Sequence, residues 1–87
     1  MSEGVLKGRV AIVTGGGRGI GRSIALAYAD AGAKVVVAAR TRSEVESVAE
    51  EIASKGGKAL AFTGDASKFE DAERLALETE RAFGQLD

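Results

Sequence analysis

The chain has 87 residues, 45% of them hydrophobic and 29% charged, a balance that excludes intrinsic disorder and suits one small globular domain. Such a domain buries only about 60 to 65% of the surface its unfolded form exposes, too little for separate cofactor and substrate regions. Twelve Lys and Arg against 13 Asp and Glu give a net charge of -1, spread in both signs along the chain, which argues against a nucleic-acid surface.

Met1 to Gly8 is polar and reads as no signal peptide, and no apolar run approaches the ~20 residues a membrane span needs. No membrane partner is expected, and a cytoplasmic location fits. Arg9 to Thr14, around Val10-Ala11-Ile12-Val13, predicts a strand buried on both faces. Ile20, Ile24, Ala27, Tyr28 and Ala31 recur at helical spacing and predict a helix with Tyr28 in the core, stopped by Gly32. Lys34 to Ala39 is a second continuous apolar strand, rich in β-branched residues.

Val45, Val48, Ala49, Ile52 and Ala53 mark the next helix, with Ser43 as its N-cap and Gly56-Gly57 as its stop. Lys58 to Thr63 is a third, weaker strand through Ala59-Leu60-Ala61-Phe62. Ser67 with Glu70 three residues later is a capping-box pattern. Phe69, Ala72, Leu75, Ala76, Thr79 and Phe83 then give the third helix one apolar face until Gly84. The order β-α-β-α-β-α, with continuous apolar strands, predicts a parallel sheet covered on both faces and joined by right-handed crossovers. The fold class expected is α/β, a three-layer doubly wound sheet of Rossmann type. Gln85-Leu86-Asp87 are what should precede a fourth strand, so the chain reads as truncated within a larger fold.

The most informative segment is Thr14-Gly15-Gly16-Gly17-Arg18-Gly19-Ile20-Gly21, which lies between the first strand and the first helix. Glycine lets the backbone take positive φ and lets an anion approach without meeting a Cβ. The helix that follows offers unpaired N–H groups and the positive end of its dipole. A plain tight turn would not require five glycines among the seven positions 15–21. The pattern points to a phosphorylated ligand.

Three templates compete. A strict G-x-G-x-x-G fails, because the third glycine falls on Ile20, Arg22 or Ile24 from any starting point. Gly16 to Ser23 reads G-x-x-x-x-G-R-S, the phosphate loop of nucleotide triphosphatases with Arg22 in place of the lysine, whose point charge a guanidinium replaces poorly. The pattern T-G-x-x-x-G-x-G fits without substitution at Thr14, Gly15, Gly19 and Gly21. Here the chain resembles the short-chain dehydrogenase/reductase family. The resemblance covers all 87 residues, read as the N-terminal part of a single dinucleotide-binding domain whose remainder is absent.

The resemblance implies that Gly15 makes the turn, Gly19 admits the pyrophosphate and Gly21 lets the helix pack closely, with Gly17 and Ile20 beside them; Thr14 ties down the loop. An acid at the end of the second strand would accept bonds from a free ribose 2′-OH. This chain has Ala38-Ala39-Arg40-Thr41-Arg42 instead, and Arg40 is placed to fork onto a 2′-phosphate, assisted by Arg18. NADP is therefore expected over NAD, with Thr41 beside the phosphate. In the resembled family an Asp after the third strand receives the adenine amino group and the next backbone N–H meets the ring, which implies Asp65 and Ala66. The competing reading of Asp65 is a helix-start Asp held by local backbone bonds.

Catalytic residues are expected to be absent. The family relies on a Tyr-x-x-x-Lys pair with a serine, and on an asparagine-rich motif after a fourth strand; none is here. The chain has no Cys and no His, which excludes a thiolate nucleophile, a histidine-activated serine and a His- or Cys-based zinc site. The expected function is the cofactor-binding N-terminal segment of an NADP(H)-dependent short-chain oxidoreductase, inactive alone and part of a homo-oligomer in the complete protein. The alternative is a non-catalytic nucleotide-binding module.

Overall fold

The computed structural model describes residues 8–15 and 19–84. Six elements alternate: β1 (Val10–Thr14), α1 (Gly19–Asp30), β2 (Lys34–Ala39), α2 (Arg42–Ser54), β3 (Lys58–Thr63) and α3 (Phe69–Phe83). The three strands form one parallel sheet in the order β1-β2-β3. This is the Rossmann-like α/β arrangement expected. Among the described residues no helix is long and apolar enough to cross a membrane.

The alternation of side chains along each strand sorts the core into two layers. On one face Ala11 and Val13 of β1, Val35 and Val37 of β2, and Ala59 and Ala61 of β3 meet α1 and α2 through Ala25, Val45, Val48 and Ile52. On the other, Val10 and Ile12, Val36 and Ala38, and Leu60 and Phe62 meet α3 through Leu75 and Phe83. Val35, Val36 and Val37 have no exposed surface. A central strand buried on both faces must be apolar along its buried positions, and this is why β2 shows no polar alternation from Val35 to Ala38.

Pairing is in step across all three strands. Thr14 lies opposite Ala38 and Ala38 opposite Phe62; Val10 lies opposite Lys34 and Lys34 opposite Lys58. The three strands therefore end at one level, and the loops that leave them share one edge of the sheet.

Several helix details depart from the sequence expectations. In α1 the face against the sheet is Ala25 with Leu26 and Ala29, whereas Ile20 is 80% exposed and Ile24 and Tyr28 are each 39% exposed. The helix carries two apolar stripes, and periodicity alone does not say which one meets a sheet. Helix α2 starts after Thr41 rather than at Ser43, and α3 after Lys68, with no side-chain cap bond at either. The capping box does not form because the Ser67 hydroxyl donates to Asp65 instead. Phe69, expected on the apolar face of α3, is 78% exposed and takes no part in the core layer that Leu75 and Phe83 join.

This packing separates two phenylalanines. Phe62→Ala removes a fully buried ring and should lower the unfolding free energy by about 3 to 5 kcal/mol, whereas Phe69→Ala should stay within about 0.5 kcal/mol of the parent. Urea unfolding followed by circular dichroism measures both, and a Phe69 effect as large as that of Phe62 would contradict the packing.

Candidate functional site

Because the strand ends are level, the residues just beyond them face one another across a cleft of about 750 Å³. Thr14 and Gly15 leave β1, Ala39 to Thr41 leave β2, Gly64 to Ser67 leave β3, and Glu44 comes from the first turn of α2. Two backbone bonds hold the rim. The Gly15 N–H donates to the Ala38 carbonyl at 2.7 Å and the Gly64 N–H to the Ala39 carbonyl at 2.9 Å, so both loops stay anchored to β2 one residue past the strands.

The structure brings Gly15, Arg40, Thr41, Asp65 and Ala66 together in this cleft. Gly19, Ile20 and Gly21 form the first turn of α1, outside the described lining. Gly17 and Arg18 lie outside the described residues. Gly15 and Gly19 have φ of 68° and 63°, and a Cβ built on either would have no atom within 4 Å. Backbone that requires glycine and opens onto empty space is what a phosphate-bearing ligand needs in order to approach N–H groups. The first turn of α1 contains no acid to oppose an anion. Among the described residues no group of carboxylates could hold a metal ion. On these observations the cleft can admit a phosphate-bearing ligand, and its volume of about 750 Å³ lies in the usual range of small-molecule sites.

Asp65 is partly buried and has a defined role in the loop. Its Oδ1 accepts from the Ser67 backbone N–H at 3.0 Å and from the Ser67 hydroxyl at 2.6 Å, an Asx-type turn. These bonds, with smaller help from the charges of Arg40 and Lys68, hold its carboxyl below the ordinary value of 3.8. The local-capping reading of Asp65 is thus realised through Ser67. Arg40 is exposed, and among the described residues it makes no hydrogen bond or ion pair, so its guanidinium stands at the cleft with its donors available.

Arg22 does not enter the cleft. Its guanidinium donates to Glu51 of α2, and Lys55 reaches the other oxygen of that carboxylate at 3.9 Å. A side chain turned toward the neighbouring helix cannot serve as the phosphate-loop cation, and that template fails. Sequence reasoning missed Glu44 and Ser67. Ser67 carried a signal, being two residues after an Asp at a strand end; Glu44 enters the lining because the first turn of α2 sits directly over the end of β2.

A larger hollow of about 960 Å³ lies at the other end of the sheet, between Gly32 to Lys34 and Gly56 to Lys58. The carboxyl ends of α1 and α2 form its wall, and their carbonyl dipoles disfavour an anion. Gly15 is at the opposite end.

Residues 9–87 match the family model described as short chain dehydrogenase. The chain is 48% identical over 82 residues to an uncharacterized oxidoreductase of Mycobacterium tuberculosis (strain CDC 1551 / Oshkosh), covering 94% of this chain and 31% of that protein. It is also 48% identical over 83 residues to versicolorin reductase 1 of Aspergillus parasiticus, covering 94% of this chain and 32% of the relative. Among solved structures, the citronellol catabolism dehydrogenase of Pseudomonas aeruginosa PAO1 superposes with a TM-score of 0.91 at 34% identity, over 99% of this chain and 36% of the other. The chain thus spans about a third of the length of the proteins it matches.

The Asp65 carboxyl gives a pH test. Its folded-state pKa is lowered, so its contribution to stability is complete well above 3.8 and is lost as pH falls through that value toward the lower folded pKa. Thermal midpoints measured between pH 7 and pH 2.5 should fall less steeply on the acid side for Asp65→Asn than for the parent. Parallel curves would show that the Ser67 bonds do not favour the ionised form.

Proposed function

Because the chain belongs to the short-chain dehydrogenase family, which uses a nicotinamide dinucleotide, we propose that its cleft holds the adenosine and pyrophosphate half of NADP. The whole protein is then an oxidoreductase that interconverts a carbonyl and an alcohol, in keeping with relatives named as a reductase and a dehydrogenase. When bound, the dinucleotide supplies or accepts the hydride. The residues of this chain bind and orient it.

Gly15 makes the turn, Gly19 admits the pyrophosphate and Gly21 lets α1 pack closely, with Gly17 beside them in sequence, and the amino end of α1 at Gly19 and Ile20 faces the charge. Asp65 and the Ala66 N–H take the adenine edge. Arg40, beside Thr41 and with Arg18, takes the 2′-phosphate. No Tyr-x-x-x-Lys pair occurs in this sequence, so the nicotinamide end and the proton-transfer groups belong to the rest of the whole protein.

The observation that carries the preference for NADP is Arg40 itself. It stands in the cleft next to the end of β2, where an acid would be needed to bind a free 2′-OH and would repel a phosphate. The preference has a direct measure. Arg40→Asp should lower the NADP-to-NAD affinity ratio by about tenfold to a hundredfold, the worth of one charge-assisted hydrogen bond to phosphate. Calorimetric titration of parent and variant with both cofactors gives the ratio, and an unchanged value would mean that Arg40 does not touch the 2′-phosphate.

A further inference from the structure

The loop after β3 is held from below by two residues of α3 that do not line the cleft. The Asp65 backbone N–H donates to Asp71 Oδ2 at 2.8 Å. The Arg74 Nη2 donates to the Thr63 carbonyl at 3.2 Å and lies 3.5 Å from Asp71 Oδ1. The Arg74 guanidinium stacks 4.6 Å from the centre of the Phe62 ring, which is buried against Ala38 and Leu75. Two side chains on adjacent turns of one helix thus grip the residues on either side of Gly64.

Gly64 makes this grip possible. A Cβ there would come within 2.7 Å of the Phe62 ring, 3.2 Å of the Arg74 guanidinium and 3.2 Å of the Asp71 carboxylate. Any side chain at position 64 would push apart the three groups that meet under the loop. The glycine is required for close approach; of the groups that meet it, the Phe62 ring is buried, while Asp71 and Arg74 are partly exposed side chains of α3.

We propose that Asp71 and Arg74 are positioning residues for the adenine end of the dinucleotide. Asp71 fixes the Asp65 amide, Arg74 fixes Asp71 and the Thr63 carbonyl, and the pair aims the Asp65 carboxylate and the Ala66 amide into the cleft. The proposal rests on the dinucleotide reading of the cleft. It assigns the orientation of the loop to α3 rather than to β3, whose ladder ends one residue earlier at the Gly64 N–H. Hydrogen bonds from an amide to a carboxylate and from a guanidinium to a carbonyl are the stronger kinds, and a stacked guanidinium keeps its fork in one plane.

The test uses two adenine nucleotides and titrates the parent, Asp71→Ala, Asp71→Asn and Gly64→Ala proteins. Adenosine 5′-phosphate and adenosine 2′,5′-bisphosphate should both bind Asp71→Ala more weakly than the parent by one shared factor of about threefold to tenfold, the effect of losing one hydrogen bond. The equal factor separates this role from that of Arg40, which acts on the 2′-phosphate alone. Asp71→Asn keeps an acceptor for the Asp65 amide and should restore most of the affinity; Gly64→Ala should lose it. Amide exchange should quicken at Asp65 and stay unchanged at Val36 in Asp71→Ala.

Unchanged affinity in Asp71→Ala, or exchange that quickens equally at Val36, overturns the proposal and leaves the site reading intact. A parent protein that binds neither nucleotide overturns the reading of the cleft, and the positioning role with it.

Discussion

The in-step pairing of β1 and β3 on the two sides of β2 is the constraint on which the rest of this structure depends. Each β2 residue from Lys34 to Ala38 has a partner on both sides, so its backbone groups are used within the sheet and its valines can be buried without unpaired polar groups. A slip of one residue in either pairing would turn a strand's inward side chains to the opposite layer. It would also set one strand end above or below the others, and the cleft would lose a wall.

From that edge the chemistry follows by position. Parallel strands joined by helices send every strand end to one side and every helix start to the same side, so glycine backbone, the Arg40 guanidinium and the Asp65 turn are gathered without long-range design. Charges elsewhere serve the scaffold. Arg22, Glu51 and Lys55 connect α1 to α2, and Arg74 also meets Glu78 at 3.6 Å. Solvent-accessible pairs of this kind, half-buried at most, contribute little stability each; their effect is to orient side chains, which keeps Arg22 away from the cleft while Arg40 remains at it.

The strands were legible in the sequence almost to the residue because a strand buried on both faces needs an unbroken apolar run, and nothing else in this chain looks like Val35-Val36-Val37. The second helix was legible as well: Val45, Val48 and Ile52 have one stripe and one sheet to meet. The first helix was not, since Ile20, Ile24 and Tyr28 make as good a stripe as Ala25, Leu26 and Ala29. Which stripe packs depends on the distance at which the helix crosses β1 and β2. The start of α3 was misread for a related reason. Ser67 can cap a helix or close an Asp turn, and the choice belongs to the carboxylate of Asp65 beside it.

By itself the sequence determined the element order, the parallel sheet, the glycine turn after β1 and the lack of an acid from Ala38 to Arg42 at the end of β2. These follow from residue type and spacing within a few neighbours, where backbone sterics and hydrophobic periodicity act directly. Only the tertiary structure decided which face of α1 is buried, that Arg22 belongs to α2, and that Asp71, Arg74 and Phe62 converge beneath Gly64. Those outcomes depend on contacts between elements distant along the chain, and the free energy that selects them is absent until the sheet and its helices are assembled.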